Sequence, residues 1–211
     1  MKNKIDSLEK KSKTIGEKAF LYMKDNTTSD MIDGGDHEVN ITPYSDYKGV
    51  YHNHTPAGIY MFSVEDIITM FKIAVKQLDA ATAKEAFMGM VAHETCNCPP
   101  DNFVYHNYLL RFNRDFPKAI AIAYLSKEQK DKLETSYTKL KMELLGKPAL
   151  RNGTSPMANL NAQGLEQLLF GILASMNITP DQVVLQKIEK SGIINNINLN
   201  SDGTTTPIPC P

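Results

Sequence analysis

Apolar positions recur along this chain at two spacings, and each spacing predicts a different kind of element. From Ser63 to about Leu78, the residues Val64, Ile67, Ile68, Phe71, Val75 and Leu78 fall on one face at helical spacing, which predicts an amphipathic helix. Residues 126–145 predict a charged helix opened by Ser126, with Gln129 three places on completing a capping box. A third helix is expected over roughly 161–176, where Leu165, Leu168, Leu169, Ile172, Leu173 and Met176 form the stripe. Thr179-Pro180 predicts one more short helix, with Thr179 at the N-cap and Pro180 at the first helical position. A short polar helix is expected over 5–15.

Strands are predicted where short apolar or alternating runs are bounded by turn residues, at 19–23, 48–52, 86–93 and 103–112. A further short strand is expected at 39–41, stopped by Pro43. Residues 25–37 and 95–102 read as turn-rich segments, and 192–211 as a strand, an Asp202-Gly203 turn and a Pro-rich tail. This order predicts an α/β (α+β) fold with a mixed sheet flanked by helices. Residues 1–211 are expected to form a single domain, with the nearly all-helical stretch 126–191 as an insertion or appended layer.

Composition narrows the function classes. The chain has 211 residues, 23 basic and 24 acidic, for a net charge of −1. No Lys/Arg cluster interleaved with aromatics stands out, so a nucleic-acid partner is not expected. The longest apolar stretches fall well short of the roughly 20 residues of a membrane span. The first residues, MKNKIDSLEKKSKTIGEK, lack the apolar core of a secretory signal. A cytoplasmic protein is expected, or a soluble domain of a longer exported one. Cys96, Cys98 and Cys210 are odd in number, and two lie one residue apart, which argues against a disulfide framework.

The chemistry concentrates at His52-Asn53-His54. On an extended strand, residues two apart point to the same side, so two imidazoles can converge on one metal ion. Eight residues follow, including Pro56 and Gly58, before Ser63-Val64-Glu65-Asp66 opens the predicted helix. With the apolar stripe against the core, Asp66 lies on the opposite side of the first turn, able to reach back toward the two His. Zinc accepts such nitrogen and oxygen ligands, and a catalytic site keeps three of them plus an open position. Ser-x-x-Asp is also close to a plain capping box, and a first-turn acid is favoured by the helix dipole. The joint spacing of the two motifs gives them their weight.

His52-Asn53-His54 followed by Ser63-Val64-Glu65-Asp66 resembles the signature of the JAMM (JAB/MPN) metallopeptidases: His-x-His, about seven residues, then Ser-x-x-Asp. That family includes deubiquitinating isopeptidases and bacterial and phage relatives, with a fold like that of the cytidine deaminases. The resemblance implies that His52, His54 and Asp66 bind Zn2+, and that Ser63 helps to hold the site and the oxyanion. It also implies a Glu at the start of the first strand as general base, a context that Glu17 occupies. The intervening loop is one residue longer than the family pattern, and Thr55 stands before Pro56. The implied activity is zinc-dependent hydrolysis of peptide or isopeptide bonds, on a peptide or protein-tail substrate. The alternative is a JAMM-like binding or toxin-associated module without hydrolysis.

Glu38, 14 residues before His52, is the rival base; Glu17 is preferred because an apolar strand follows it directly. His93-Glu94-Thr95-Cys96-Asn97-Cys98 gathers metal-ligand types without the spacing of a common structural zinc site, and a turn with incidental Cys is expected. The HExxH motif and the nucleobase-deaminase pattern are absent. His37 is left over, His106 is expected to be structural, and Tyr105, Tyr108 and Arg111 are expected to serve sheet packing rather than a substrate groove.

Overall fold

The structure, a computed structural model, describes residues 1–77, 79–95, 102–153 and 159–210. Among these residues, eight strands form one sheet and six α-helices pack on it. Helix α1 (Lys2–Lys11) leads into β1 (Lys18–Met23), the two-residue β2 (Ile32–Asp33) and β3 (Tyr47–Asn53). Helices α2 (Val64–Val75) and α3 (Ala80–Ala83) connect β3 to β4 (Phe87–Thr95), and β5 (Phe103–Phe112) follows. Then come α4 (Phe116–Ala123), α5 (Lys127–Leu145), a 3-10 turn at Pro148–Leu150 and α6 (Ala162–Ser175). The chain ends in β6 (Val183–Ile188), β7 (Ile194–Leu199) and β8 (Thr205–Pro209).

The strand order is β2-β1-β3-β4-β5-β6-β7-β8, and the sheet is mixed. Strands β3 and β4 are parallel and all other neighbours antiparallel. A parallel pair needs a crossover, and α2 supplies it. Strand alternation divides the sheet into two faces. One carries the main core, where Val50, Met88, Met90 and Ala92 meet Ile67, Ile68 and Phe71 of α2 and Leu168, Leu169 and Ile172 of α6. The other carries a smaller cluster of Phe20, Tyr51, Phe87 and Val91 under Leu8 of α1. Gly89 matters here: a Cβ would sit 2.4 Å from the Tyr51 ring, which lies across it.

Several expected elements differ. The helix expected at Thr179-Pro180 is a single turn, closed by Gln182 N–H donating to Thr179 O at 2.9 Å and Thr179 N–H donating to Gln182 Oε1 at 2.8 Å. The chain then enters β6, where Val183 and Val184 pair with Phe112 and Arg111. Region 126–191 is therefore not all helical: long-range pairing of a β-branched run overrides the local helix-start signal. Residues 39–41 form no strand; Val39 and Ile41 pack partly buried against the main core. The Pro-rich tail is the edge strand β8, where Pro207 and Pro209 lack the N–H that an exposed edge would offer to another chain. Helix α1 begins and ends earlier than its expected span, and α3 and α4 were not expected. Leu78, Cys96 and Cys98 lie outside the described residues. No helix among the described residues is long and apolar enough to cross a membrane.

Candidate metal centre

Strand β3 ends at the site. His52 and His54 lie two residues apart, and the chain stays extended past the strand because His54 N–H donates to Val91 O at 2.8 Å. The side chains point to one side, as the alternation of a strand requires. His52 Nε2 lies 2.8 Å from His54 Nε2. Across the loop, Asp66 reaches both rings: Oδ1 is 3.2 Å from His52 Nε2 and Oδ2 is 3.3 Å from His54 Nε2.

The other ring nitrogens are already occupied. His52 Nδ1 donates to Gly89 O at 3.0 Å, and His54 Nδ1 donates to Ile59 O at 2.6 Å. A carbonyl can only accept, so each bond fixes its ring with Nε2 turned to the centre, the arrangement metal-binding imidazoles use. Both rings are buried. Asp66 sits in the first turn of α2, where the capping box is real. Ser63 Oγ accepts from Asp66 N–H at 3.1 Å, and Ser63 N–H donates to Asp66 Oδ2 at 2.8 Å. The Ser63 hydroxyl also donates to Asp66 Oδ2 at 2.8 Å. Capping and ligand placement are thus one device: the bonds that start the helix also aim the carboxylate.

His52, His54 and Asp66 form a group able to hold a metal ion, each offering a ligand atom within 4.8 Å of the others. The two ring nitrogens are 2.8 Å apart, and each has a different Asp66 oxygen at 3.2 or 3.3 Å, near the about 3.3 Å edge of a tetrahedron with bonds of 2.0–2.1 Å. The same closeness perturbs titration. Burial works against a charged His54, but Asp66 and Glu17 outweigh it and push the imidazole up to about 9. Burial would raise Asp66, yet His52 and His54 hold it well below the usual carboxylate range.

Glu17 lies on the same cavity as the three. The antiparallel register Ala19↔His52, continued by two positions, sets Glu17 opposite His54. Its backbone is pinned on both sides: Glu17 N–H donates to Gly35 O at 2.8 Å, and Gly34 N–H to Glu17 O at 2.9 Å. Its carboxyl is buried and raised by that burial, with His54 and His52 pulling it back. Gly34 allows this loop to fold tightly, since a Cβ there would meet Glu38 O at 2.3 Å.

Glu17, Ser63 and the three metal-ligand candidates all line one cavity of about 550 Å³. Its apolar wall is formed by Val39, Ile41, Val50, Ile59 and Met88. Glu38 also lines it, but is exposed. His37, which the sequence left without a role, stands on the same wall with Nδ1 3.2 Å from Thr55 Oγ1. Comparison with protein-family models, curated proteins and solved structures gives no match.

The loop between His54 and Ser63 is held at several points. Gly58 N–H donates to Thr55 O at 3.0 Å, Tyr60 O–H to Pro56 O at 2.7 Å and Tyr137 O–H of α5 to Phe62 O at 3.1 Å. The Tyr60 ring stacks on His106, with centroids 5.6 Å apart and planes within 7°. His106 Nε2 lies 3.3 Å from Glu94 Oε2, which also accepts from Asn152 Nδ2 at 3.0 Å. His106 is structural, as expected, but sequence reasoning missed the tyrosine bonds to the loop and the carbonyls of Gly89 and Ile59, because a backbone acceptor carries no residue signature. Of the remaining candidates, Tyr108 is buried and donates to Glu166 Oε1 at 3.1 Å, Tyr105 packs against the smaller core and Arg111 is exposed. None of the three lines the cavity.

Proposed function

We propose that the chain is a JAMM-like zinc hydrolase of peptide or isopeptide bonds. The observation that carries this reading is the convergence of two imidazoles, one carboxylate and a second, separate carboxyl on one cavity. Two nitrogens and one oxygen suit zinc, and three protein ligands leave a position open for chemistry. When bound, such an ion lowers the pKa of a water and polarises a carbonyl.

The protein's own groups would do the rest. Glu17, buried beside the ligands but outside their triangle, takes the proton of the attacking water and hands it to the leaving amine. Its pinned backbone keeps the carboxyl at the cavity wall, so little reorganisation accompanies each transfer. Ser63 is first a positioning residue, because its hydroxyl holds Asp66. To donate to a developing oxyanion as well, that hydroxyl must turn from Asp66 Oδ2 into the cavity it already lines. The apolar wall excludes water from around the scissile bond and receives apolar parts of the substrate.

The reading is tested with protein purified without chelator, loaded with zinc and offered a peptide and isopeptide library. Cleavage by wild type that disappears on chelation and returns with zinc supports it. Stoichiometric zinc with no cleavage of any library member contradicts it, and leaves the non-hydrolytic module.

A further inference from the structure

Helix α5 carries five lysines, and the surroundings of four of them differ in a telling way. Lys130 pairs with Glu65 at 3.0 Å, Lys132 with Glu128 at 2.6 Å and Lys139 with Glu143 at 3.9 Å. Lys141 is half-buried, and among the described residues no carboxylate lies within ion-pair distance of it. Its side chain lines the metal cavity. It also lines a small cleft beside that cavity, between Tyr60 and Leu165. A charged group that lines a cavity favours an opposite charge, and among the described residues no carboxylate supplies one.

Of the carboxylates on the cavity wall, Glu38 is exposed and makes no ion pair with Lys141, and the others are engaged or placed for other work. Glu65 is held by Lys72 and Lys130, Asp66 by the two imidazoles, and Glu17 stands beside them. An anion entering the cavity therefore meets one ammonium that no carboxylate among the described residues pairs with. That ammonium is a point charge on a flexible stem, suited to a single carboxylate without strict bidentate geometry. The acidic residues on the same wall oppose a doubly charged group such as phosphate, which selects against it.

We propose that Lys141 is a specificity-determining residue that receives one carboxylate of the substrate, so that the site favours peptides or amides bearing a single negative group near the scissile bond. The scissile bond rests on the hydrolase reading; the carboxylate recognition does not. The probes are N-acetylated tetrapeptides in which a Glu or its neutral isostere Gln is walked through each position, with the C-terminus as free acid or amide. Binding to zinc-loaded wild type, Lys141→Gln, Lys141→Arg and Lys141→Glu is measured by calorimetry, and cleavage by mass spectrometry.

At one position the wild type should bind the acidic probe about tenfold tighter than its neutral twin. Lys141→Gln should lose that ratio while keeping its affinity for the neutral probe and its zinc content. Lys141→Arg should retain part of it, and Lys141→Glu should invert it. Equal binding of every acidic and neutral pair by wild type overturns the proposal, as does a preference that survives Lys141→Gln. If the preference appears but no probe is cut, the proposal stands and the hydrolase reading falls. If probes are cut without any such preference, the proposal falls and the hydrolase reading stands.

Discussion

Two His–carboxylate clusters lie on the same face of one sheet, and only one of them has the makings of a reactive centre. Strand register places His52 beside Met90, and Glu94 and His106 further along the same face of β4 and β5. At the first cluster, three ligand atoms converge, both outer ring nitrogens are tied to carbonyls, and the group opens on a cavity of about 550 Å³. At the second, one imidazole meets one carboxylate beneath the Tyr60 ring; both groups are almost wholly buried, and neither lines that cavity. Residue type is the same in both. Ligand count, ring orientation and access separate a candidate metal centre from a buried support.

The sharpest way to break this contrast is to remove a ligand from the first cluster. Asp66→Ala should lose zinc binding altogether, beyond the roughly 10–100-fold that loss of an outer partner costs, and hydrolysis with it. Metal analysis after dialysis reads the outcome, and full zinc content in the variant would dissolve the distinction. Next in size, Glu17→Gln should keep zinc and lower turnover by about 10²–10⁴-fold. Unchanged turnover would show that Glu17 is not the base. At the second cluster, Glu94→Gln should leave zinc content and turnover intact and reduce stability by about 1–3 kcal/mol, seen by denaturant unfolding. Loss of zinc in that variant would make the second cluster part of the centre.

The smallest effect concerns protons. His54 is raised to about 9, so at neutral pH a zinc ion bound there would displace its proton. Calorimetry in buffers of different ionisation enthalpy should find about one proton released per zinc bound at neutral pH, falling toward none above pH 9. The sign for stability follows from the same shift. A raised folded-state pKa contributes stability below the unfolded value, lost as pH rises from 6.5 through about 9. Metal-free protein should therefore melt at lower temperature across that window. The Glu94–His106 pair supplies the contrast: Glu94→Gln should leave the proton count unchanged.

The legible part of the sequence was the part with local periodicity. The α2 stripe, the Ser126–Gln129 capping box and strands β3, β4 and β5 lie close to where their patterns put them. His52, His54 and Asp66 were legible because two local devices, strand alternation and a helix start, aim them. What sequence reasoning missed depends on distant partners. Strand β6 is specified by pairing with β5, and Thr179-Pro180 mimics a helix start that this pairing cuts short. Helix α4 did carry a local signal, Asp115 as N-cap followed by Phe116-Pro117, but it is short and follows directly on a longer apolar strand. His37 reaches the cavity through the Gly34–Gly35 fold-back, a tertiary fact that no spacing announces.

The most direct test of the centre is X-ray absorption at the zinc edge on wild-type protein loaded to equivalence. The geometry predicts one zinc per chain with only nitrogen and oxygen in the first shell, near 2.0–2.1 Å, including scattering from two imidazoles. A shell containing sulfur at about 2.3 Å, or zinc that fails to bind at stoichiometry, would contradict the assignment of His52, His54 and Asp66.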